Sequence, residues 1–448
     1  MTTSARNIKY IMYTYIVIFI MMYIYYAIAG YREYVPGYML FLQSMYFVSY
    51  TCSLLIFSKY RASLKSIALH TFIYSLVTGF LVRTISWEFM NEPFLGGVDS
   101  YTYDWLAKKG VLHNYSYKQF LSFVNLSDFE SIDDAGMPSI VFWTYKLFGS
   151  GLFGQNILIV FNAIVISVSA IVLERILIYF DIHQPVRNFC VIAYTCFPFL
   201  SFTAAVGLKE NFFVLIILCA FYNISKYADT KHTVYLLGGI VSIFGCLFFR
   251  IAIFAMIIIS LIVSLLSKES NKNSMLYMII IGTAIGLISL NIVINYLYGR
   301  ELEAIIAINE FRTADASDSI GSNGTWIVQI LSLVFGPFAN FSRIAGGSAI
   351  VYSSGVLLKG VLCFPIICGI FDCIKKRLWQ YYTLLSYFFM SAIMFVIVGV
   401  ALDMRYQITM FPLLIPFGAK FIECNKLNRL YLVYIIILII LIWKYNLR

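Results

Sequence analysis

Apolar runs of 16 to 25 residues recur along this chain from Tyr10 to Trp443, separated by short polar joints. Crossing a hydrocarbon layer of about 30 Å takes about 20 helical residues, so each run spans it or nearly does. Water does not reach the backbone at that depth, and a helix satisfies its own N–H and C=O groups. Hydrophobic residues make up 61% of the chain and charged residues 12%, where a soluble domain carries about 25% charged residues to clothe its surface. The joints leave no stretch that would fold alone in water. Residues 1–448 therefore read as a single integral membrane domain, an all-α polytopic protein of about 11 to 13 spans with short interface helices in its loops.

The candidate spans are 10–29, 38–57, 67–86, 152–174, 186–203, 210–227, 234–249, 251–267, 274–298, 347–370, 381–401, 406–422 and 430–446. Segments 138–149 and 325–341 are apolar but interrupted by Gly and Pro. They predict partial or interface-lying helices, whose freed backbone groups must be met by protein or by a water-filled cavity. The basic flank and apolar core at the start resemble a signal peptide. That core is long and no small-residue cleavage site follows it, so it reads as a retained span.

A formal charge of +10 raises the question of nucleic acid, but Lys and Arg sit in the joints rather than in a basic stripe. The 34 Tyr and 39 Phe suit lipid-facing and interfacial positions. Nine cysteines stand singly with no CxxC pair, and His70, His113, His183 and His232 are dispersed without metal-ligand spacing. GxxxxGK[ST], HExxH and GxSxG are absent, which removes the usual marks of a P-loop ATPase, a zincin and a serine hydrolase.

Orientation follows from the joints. With the N-terminus inside, the cytoplasmic side collects Arg6, Lys9, Lys59, Arg61, Lys65, Arg175, Arg187, Lys226, Lys231, Lys268, Lys272, Lys375, Lys376, Arg377, Lys420, Lys426 and Arg429, as the positive-inside rule expects. Under that orientation 16 of the 22 acids fall outside. Two outer loops are long, at 87–137 and 298–325. The first is rich in aromatics, with short amphipathic helices expected near 104–111 and 116–124. The second has a helical first half and a Gly/Ser/Asn-rich tip, as a movable lid or a passive connector would.

Several charges stand at the ends of apolar runs, where desolvation must be offset. Asp99 and Asp104 follow Gly96-Gly97 in GGVDSYTYD. With 99–104 extended or turning, Tyr101 and Tyr103 flank the two carboxylates. Either carboxylate suits a general base toward a hydroxyl, or both could hold a divalent cation such as Mg2+ or Mn2+ against phosphate oxygens. Lys209, Arg250 and Arg405 each stand beside a long apolar run on the outer side and suit phosphate binding. Glu210 adjoins Lys209, and Arg83 and Glu88 close the third run as a candidate ion pair. Solvated loop residues, helix boundaries and headgroup snorkelling are the plainer alternatives for these charges.

The run AGMPSIVFWTYKLFGSGLFGQNILIVFNAIVISVSAIVLERILIYF resembles a recurrent stretch of bacterial membrane glycosyltransferases of the GT-C class, similar to glycosyltransferase family 39. There a proline-led short helix ends in Phe-Gly and a long span with an early Asn follows; Pro138, Phe148, Gly149 and Asn162 take those places here. Pro198 followed by Lys209 and Glu210 looks like the next block, and Gly336-Pro337 and Arg405 with Pro412 look like later ones, over roughly residues 94–422. The family places its first long outer loop after its first span, whereas here it follows the third. O-antigen and capsule repeat-unit polymerases are the rival resemblance, with a similar span number and large outer loops.

The resemblance implies an enzyme that transfers a sugar from a polyprenyl-phosphate-linked donor to a glycan or glycolipid acceptor. It places the protein in the bacterial inner membrane, with the chemistry on the outer face. It further implies a catalytic acid in the first outer loop, for which Asp99 is the positional match and Asp104 its neighbour. A lipid-linked oligosaccharide flippase is the non-enzymatic alternative. On a cysteine-free background, an impermeant thiol reagent applied to intact cells is expected to label Ser127→Cys and Ser317→Cys and to spare Gln380→Cys. The reverse pattern overturns the orientation.

Overall fold

The computed structural model describes residues 3–30, 35–59, 62–95, 98–126, 135–250, 253–254, 256–261, 332–333, 336–342, 348–397 and 403–447. The expected span 274–298 and the loop 298–325 lie outside these residues, as do most of span 251–267 and most of 325–341. The described elements are helical: α1 (Thr3–Ile28), α2 (Gly37–Lys59), α3 (Leu64–Met90), α4 (Val98–Leu112), α5 (Tyr117–Leu126), α6 (Gly136–Phe148), α7 (Leu152–Tyr179), α8 (Gln184–Thr195), α9 (Pro198–Val206), α10 (Glu210–Thr230), α11 (Thr233–Gly245), a 3-10 turn (Cys246–Phe248), α12 (Ser348–Val351), α13 (Ser353–Lys376), a 3-10 turn (Trp379–Tyr381), α14 (Tyr382–Ile397), α15 (Met404–Cys424) and α16 (Arg429–Asn446). Among the described residues, eight helical segments are long and apolar enough to cross a membrane. This is an all-α, multi-pass membrane protein.

Local chemistry sets many of the boundaries. Ser63 caps α3 by accepting from the Ser66 N–H at 3.2 Å, and Asp403 and Asn428 cap α15 and α16 in the same way. A side-chain oxygen placed there satisfies one of the orphan donors of a first turn. Pro198 opens α9 and splits the expected span 186–203 into two helices. Its ring fixes φ for a first turn but cannot continue a preceding helix. Loop residues 99–104, expected to be extended or turning, are helical as part of α4. The helices expected near 104–111 and 116–124 are present as α4 and α5.

The chain divides into two compact units, one of Met1–Asn7, Ala252–Ala339 and Lys359–Arg448, the other of Ile8–Ile251 and Asn340–Leu358. In the second, α3 packs on α7 and α9, α7 on α10, α10 on α11, and α2 on α8 and α12. At one end of that unit the Gln184 amide donates to Ala62 O at 3.1 Å, Tyr179 donates to Asp229 at 3.4 Å and Arg187 pairs with Glu174 at 3.2 Å. These contacts bring residue 62, just ahead of α3, together with the ends of α7, α8 and α10, as strict up-and-down alternation requires.

The break between α8 and α9 sits in a segment, Gln184–Val206, whose apolar window is wholly buried. Side chains donate to carbonyls on both sides of the break. Tyr50 donates to Ala193 O, Asn211 to Leu200 O at 3.1 Å, and Arg83 to Ala205 O through Nε at 3.2 Å and Nη2 at 2.5 Å. A broken helix is tolerated at membrane depth when protein neighbours supply such donors.

In the other unit, Asn7 on α1 donates to Ile422 O at 2.9 Å and Asn425 O at 2.6 Å, and Asn425 donates to Asp372 at 2.8 Å. Packing between α13 and α15 is close: a Cβ at Gly369 would lie 2.1 Å from the Phe417 carbonyl oxygen. Lipid tails are as apolar as Leu, so small residues that let backbones approach are what join such helices. Gly369→Ala is expected to lower the unfolding temperature of the detergent-solubilised protein, at a cost of about 1–3 kcal/mol. Gly37→Ala, where a Cβ meets nothing within 4 Å, is expected to leave it unchanged.

Candidate functional site

The opposite end of the second unit is where α3, α4, α6, α7, α9 and α10 bring their polar side chains. Helix α3 stops at Asn91, whose left-handed φ of 54° ends the helix with its N–H on Trp87 O. Ser86 then donates to Glu92 O at 2.7 Å, and Tyr101 donates to the Glu92 carboxylate at 2.5 Å and to Phe94 O at 3.0 Å. These bonds strap residues 91–95 onto α4. Burial, and then the Glu92 carboxylate it bonds, push the Tyr101 phenol above its usual range, so it remains a donor.

Asp104 is the centre of the cluster. Its Oδ1 accepts from the Tyr145 hydroxyl of α6 at 2.5 Å and from the Gln155 amide of α7 at 3.0 Å, and its Oδ2 pairs with Lys108, one turn along α4, at 2.7 Å. Burial and the neighbouring carboxylate hold the Tyr145 phenol far above its usual range, and it serves as a fixed donor. Both oxygens of Asp104 are thus committed, which suits an orienting group that locks three helices together. Gly154 sets the approach of α7, since a Cβ there would lie 2.0 Å from Gly149 O.

Asp99 is half-buried in the first turn of α4, where the helix dipole favours an anion. Five residues at 3.6 per turn put Asp99 and Asp104 about 140° apart around the helix, so they occupy different faces. Among the described residues no three His, Cys, Asp or Glu side chains gather as a metal site.

Arg83 enters from α3 and is 3% exposed. Besides its two bonds to Ala205 O, its guanidinium lies over the Phe94 ring at 5.1 Å. Its Nη1 is buried and has no hydrogen-bond partner among the described residues. Asp104 and Tyr145 are within electrostatic reach of it, yet no ion pair forms. The expected Arg83–Glu88 pair is absent: five residues along the same helix, Glu88 faces outward and is exposed while Arg83 faces inward.

Lys209 and Glu210 stand at the elbow between α9 and α10, each 4% exposed. Gly207 makes the turn with φ 76°, and the Phe94 ring lies against it. Asn211 donates to Asn162 of α7 at 2.9 Å and locks the elbow in place. Arg250 is half-buried just beyond the 3-10 turn, whose Phe248 carbonyl would lie 2.7 Å from a Cβ at Gly136 of α6. Arg83, Asp99, Asp104, Lys209, Glu210 and Arg250 therefore belong to one unit, and Arg405, half-buried in the first turn of α15, to the other.

Tyr145, Gln155 and Lys108 were not singled out from the sequence. Tyr145 and Gln155 lie on either side of the Phe148-Gly149 pair, each next to another polar residue (Thr144 and Lys146, Asn156), and nothing in the local pattern marks them out. Comparison of the chain with known protein families, characterised proteins and solved structures gives no match.

Tyr145→Phe removes one of the three donors on Asp104 and is expected to cost about 1 kcal/mol of stability. In a double-mutant cycle with Asp104→Asn, read by thermal unfolding, the two losses should combine to less than their sum. Strict additivity would separate the two residues energetically.

Proposed function

We propose that this chain is a glycosyltransferase that takes a sugar from a polyprenyl-phosphate-linked donor at the outer face of the membrane. The observation that carries this reading is the Arg83 guanidinium. Its Nη1 is buried and has no partner among the described residues, and the group lies within electrostatic reach of Asp104. A buried donor of that kind is satisfied when an anion binds, and a planar guanidinium suits phosphate oxygens. Lys209 and Arg250 add positive charge in the same unit. Such a donor needs no nucleotide-binding fold, and its lipid tail enters laterally from the bilayer.

Transfer forms a bond from an acceptor hydroxyl oxygen to the anomeric carbon and breaks the bond from that carbon to the phosphate oxygen. The phosphate leaves on its lipid with the bonding electron pair, and the hydroxyl proton passes to a carboxylate. Asp99 is assigned that proton from its place in the first long loop, half-buried in the first turn of α4, and Asp104, bonded by Tyr145, Gln155 and Lys108, is assigned an orienting role. Asp104 holds α4 in register, and Arg83 with Lys209 and Arg250 receives the phosphate charge. Arg405, in the first turn of α15, remains the third basic residue that the sequence assigns to phosphate binding.

Purified protein supplied with defined polyprenyl-linked donors, with products read by mass, tests the reading. Asp99→Asn should cut turnover by at least about 10²-fold, the lower range of general-base catalysis, with donor binding retained. Asp104→Asn should cost less, and Arg83→Gln should weaken donor binding by about tenfold or more. Near-normal turnover in Asp99→Asn removes that residue from the mechanism. Addition of one sugar supports the transferase and a ladder of repeats a polymerase. Translocation without a new glycosidic bond overturns the enzyme reading in favour of a flippase.

A further inference from the structure

The first-described unit, containing Lys359–Arg448, holds a buried cation with no role in the cluster around Asp104. Lys359 lies in the second turn of α13, inside the apolar run GVLLKGVLCF, and is 4% exposed. Its ammonium donates hydrogen bonds to Gly336 O and to Gln407 Oε1. Gln407, in the first turn of α15, donates in turn to Ser332 O at 3.0 Å and Ser332 Oγ at 3.3 Å. An ammonium has three protons to donate, and among the described residues these acceptors take two. Both acceptors are neutral, and no carboxylate pairs with Lys359 among the described residues.

A full charge buried against neutral dipoles destabilises the fold that contains it, and an apolar side chain of the same length would be tolerated as well or better. The imbalance disappears when an anion takes the third proton. Lys359 stands about six residues from the start of α13, roughly 9 Å along a helix axis, within an apolar sequence. A charged group reaches that depth most readily when it arrives on an apolar tail. We propose that Lys359, positioned by Gln407 and Gly336, binds the phosphate of an amphiphile lying in the bilayer. The site shares no residue with the cluster around Asp104, so it stands whether or not sugar transfer is found.

The full chain, purified and delipidated in a neutral detergent, is melted with a polyprenyl monophosphate, with phosphatidylglycerol, or with inorganic phosphate. A phosphate amphiphile should raise the melting temperature of the wild type, and inorganic phosphate at equal concentration should not. A shift with the polyprenyl phosphate alone identifies a carrier lipid; equal shifts with both lipids identify a membrane headgroup. Lys359→Met should weaken amphiphile binding about tenfold to a hundredfold, while its ligand-free form melts at or above the wild type. Lys359→Gln serves the same comparison if the Met variant does not fold. No shift in the wild type, or equal shifts in wild type and variant, overturns the site and leaves Lys359 as a structural tie.

Discussion

Every backbone N–H and C=O inside a hydrocarbon layer must find a partner within the protein, and this requirement governs where the chain can depart from a plain helix. The departures lie between buried neighbours. The α8–α9 segment is wholly buried, and Tyr50, Asn211 and Arg83 reach in from three other helices to carbonyls before the break, just after it and at the end of α9. Function and satisfaction then share residues. Arg83 spends two of its nitrogens on Ala205 O, in the last turn of α9, while its third is buried with no partner among the described residues, so one side chain both ties down the end of α9 and lies within electrostatic reach of Asp104.

The same requirement explains why the polar residues gather at one end of the unit. Helix ends leave orphan carbonyls and N–H groups, and polar side chains placed there are desolvated less than at mid-span. Asp104, Tyr145 and Gln155 come from α4, α6 and α7, so the cluster exists only once three helices are in place. Lys209 and Glu210 reach the same end through the α9–α10 elbow, locked by Asn211 on Asn162.

Span positions are legible in the sequence because an apolar run of fixed length has few alternatives in a membrane. Boundaries such as Ser63, Pro198 and Asp403 carry their own capping chemistry and are legible too. Residues 99–104 are harder: two Tyr, two Asp, a Ser and a Thr carry weak helix preference, and the helix is made by the strap from Tyr101 to Glu92 and by packing of α4 on α6. The Arg83–Glu88 pairing fails for a geometric reason, since positions five apart do not share a helix face. Lys359 lies in a run whose length and hydropathy predict a plain span, and a lone lysine among Val, Leu and Gly is the signal that it is more than that. Its acceptors, 23 and 48 residues away, have no local trace.

The broken α8–α9 segment also bears on how the chain is made. A segment that opens carbonyls at its middle is a poor candidate for resting alone in lipid, whatever its mean hydropathy. Two of its donors, Tyr50 and Arg83, belong to helices synthesised before it, whereas Asn211 follows on α10. During biogenesis α8–α9 leaves the ribosome with part of its shelter already built and the remainder still to emerge. The segment's polar partners are thus split between chain made before it and chain made after it, and its backbone is fully satisfied only once α10 has joined the others.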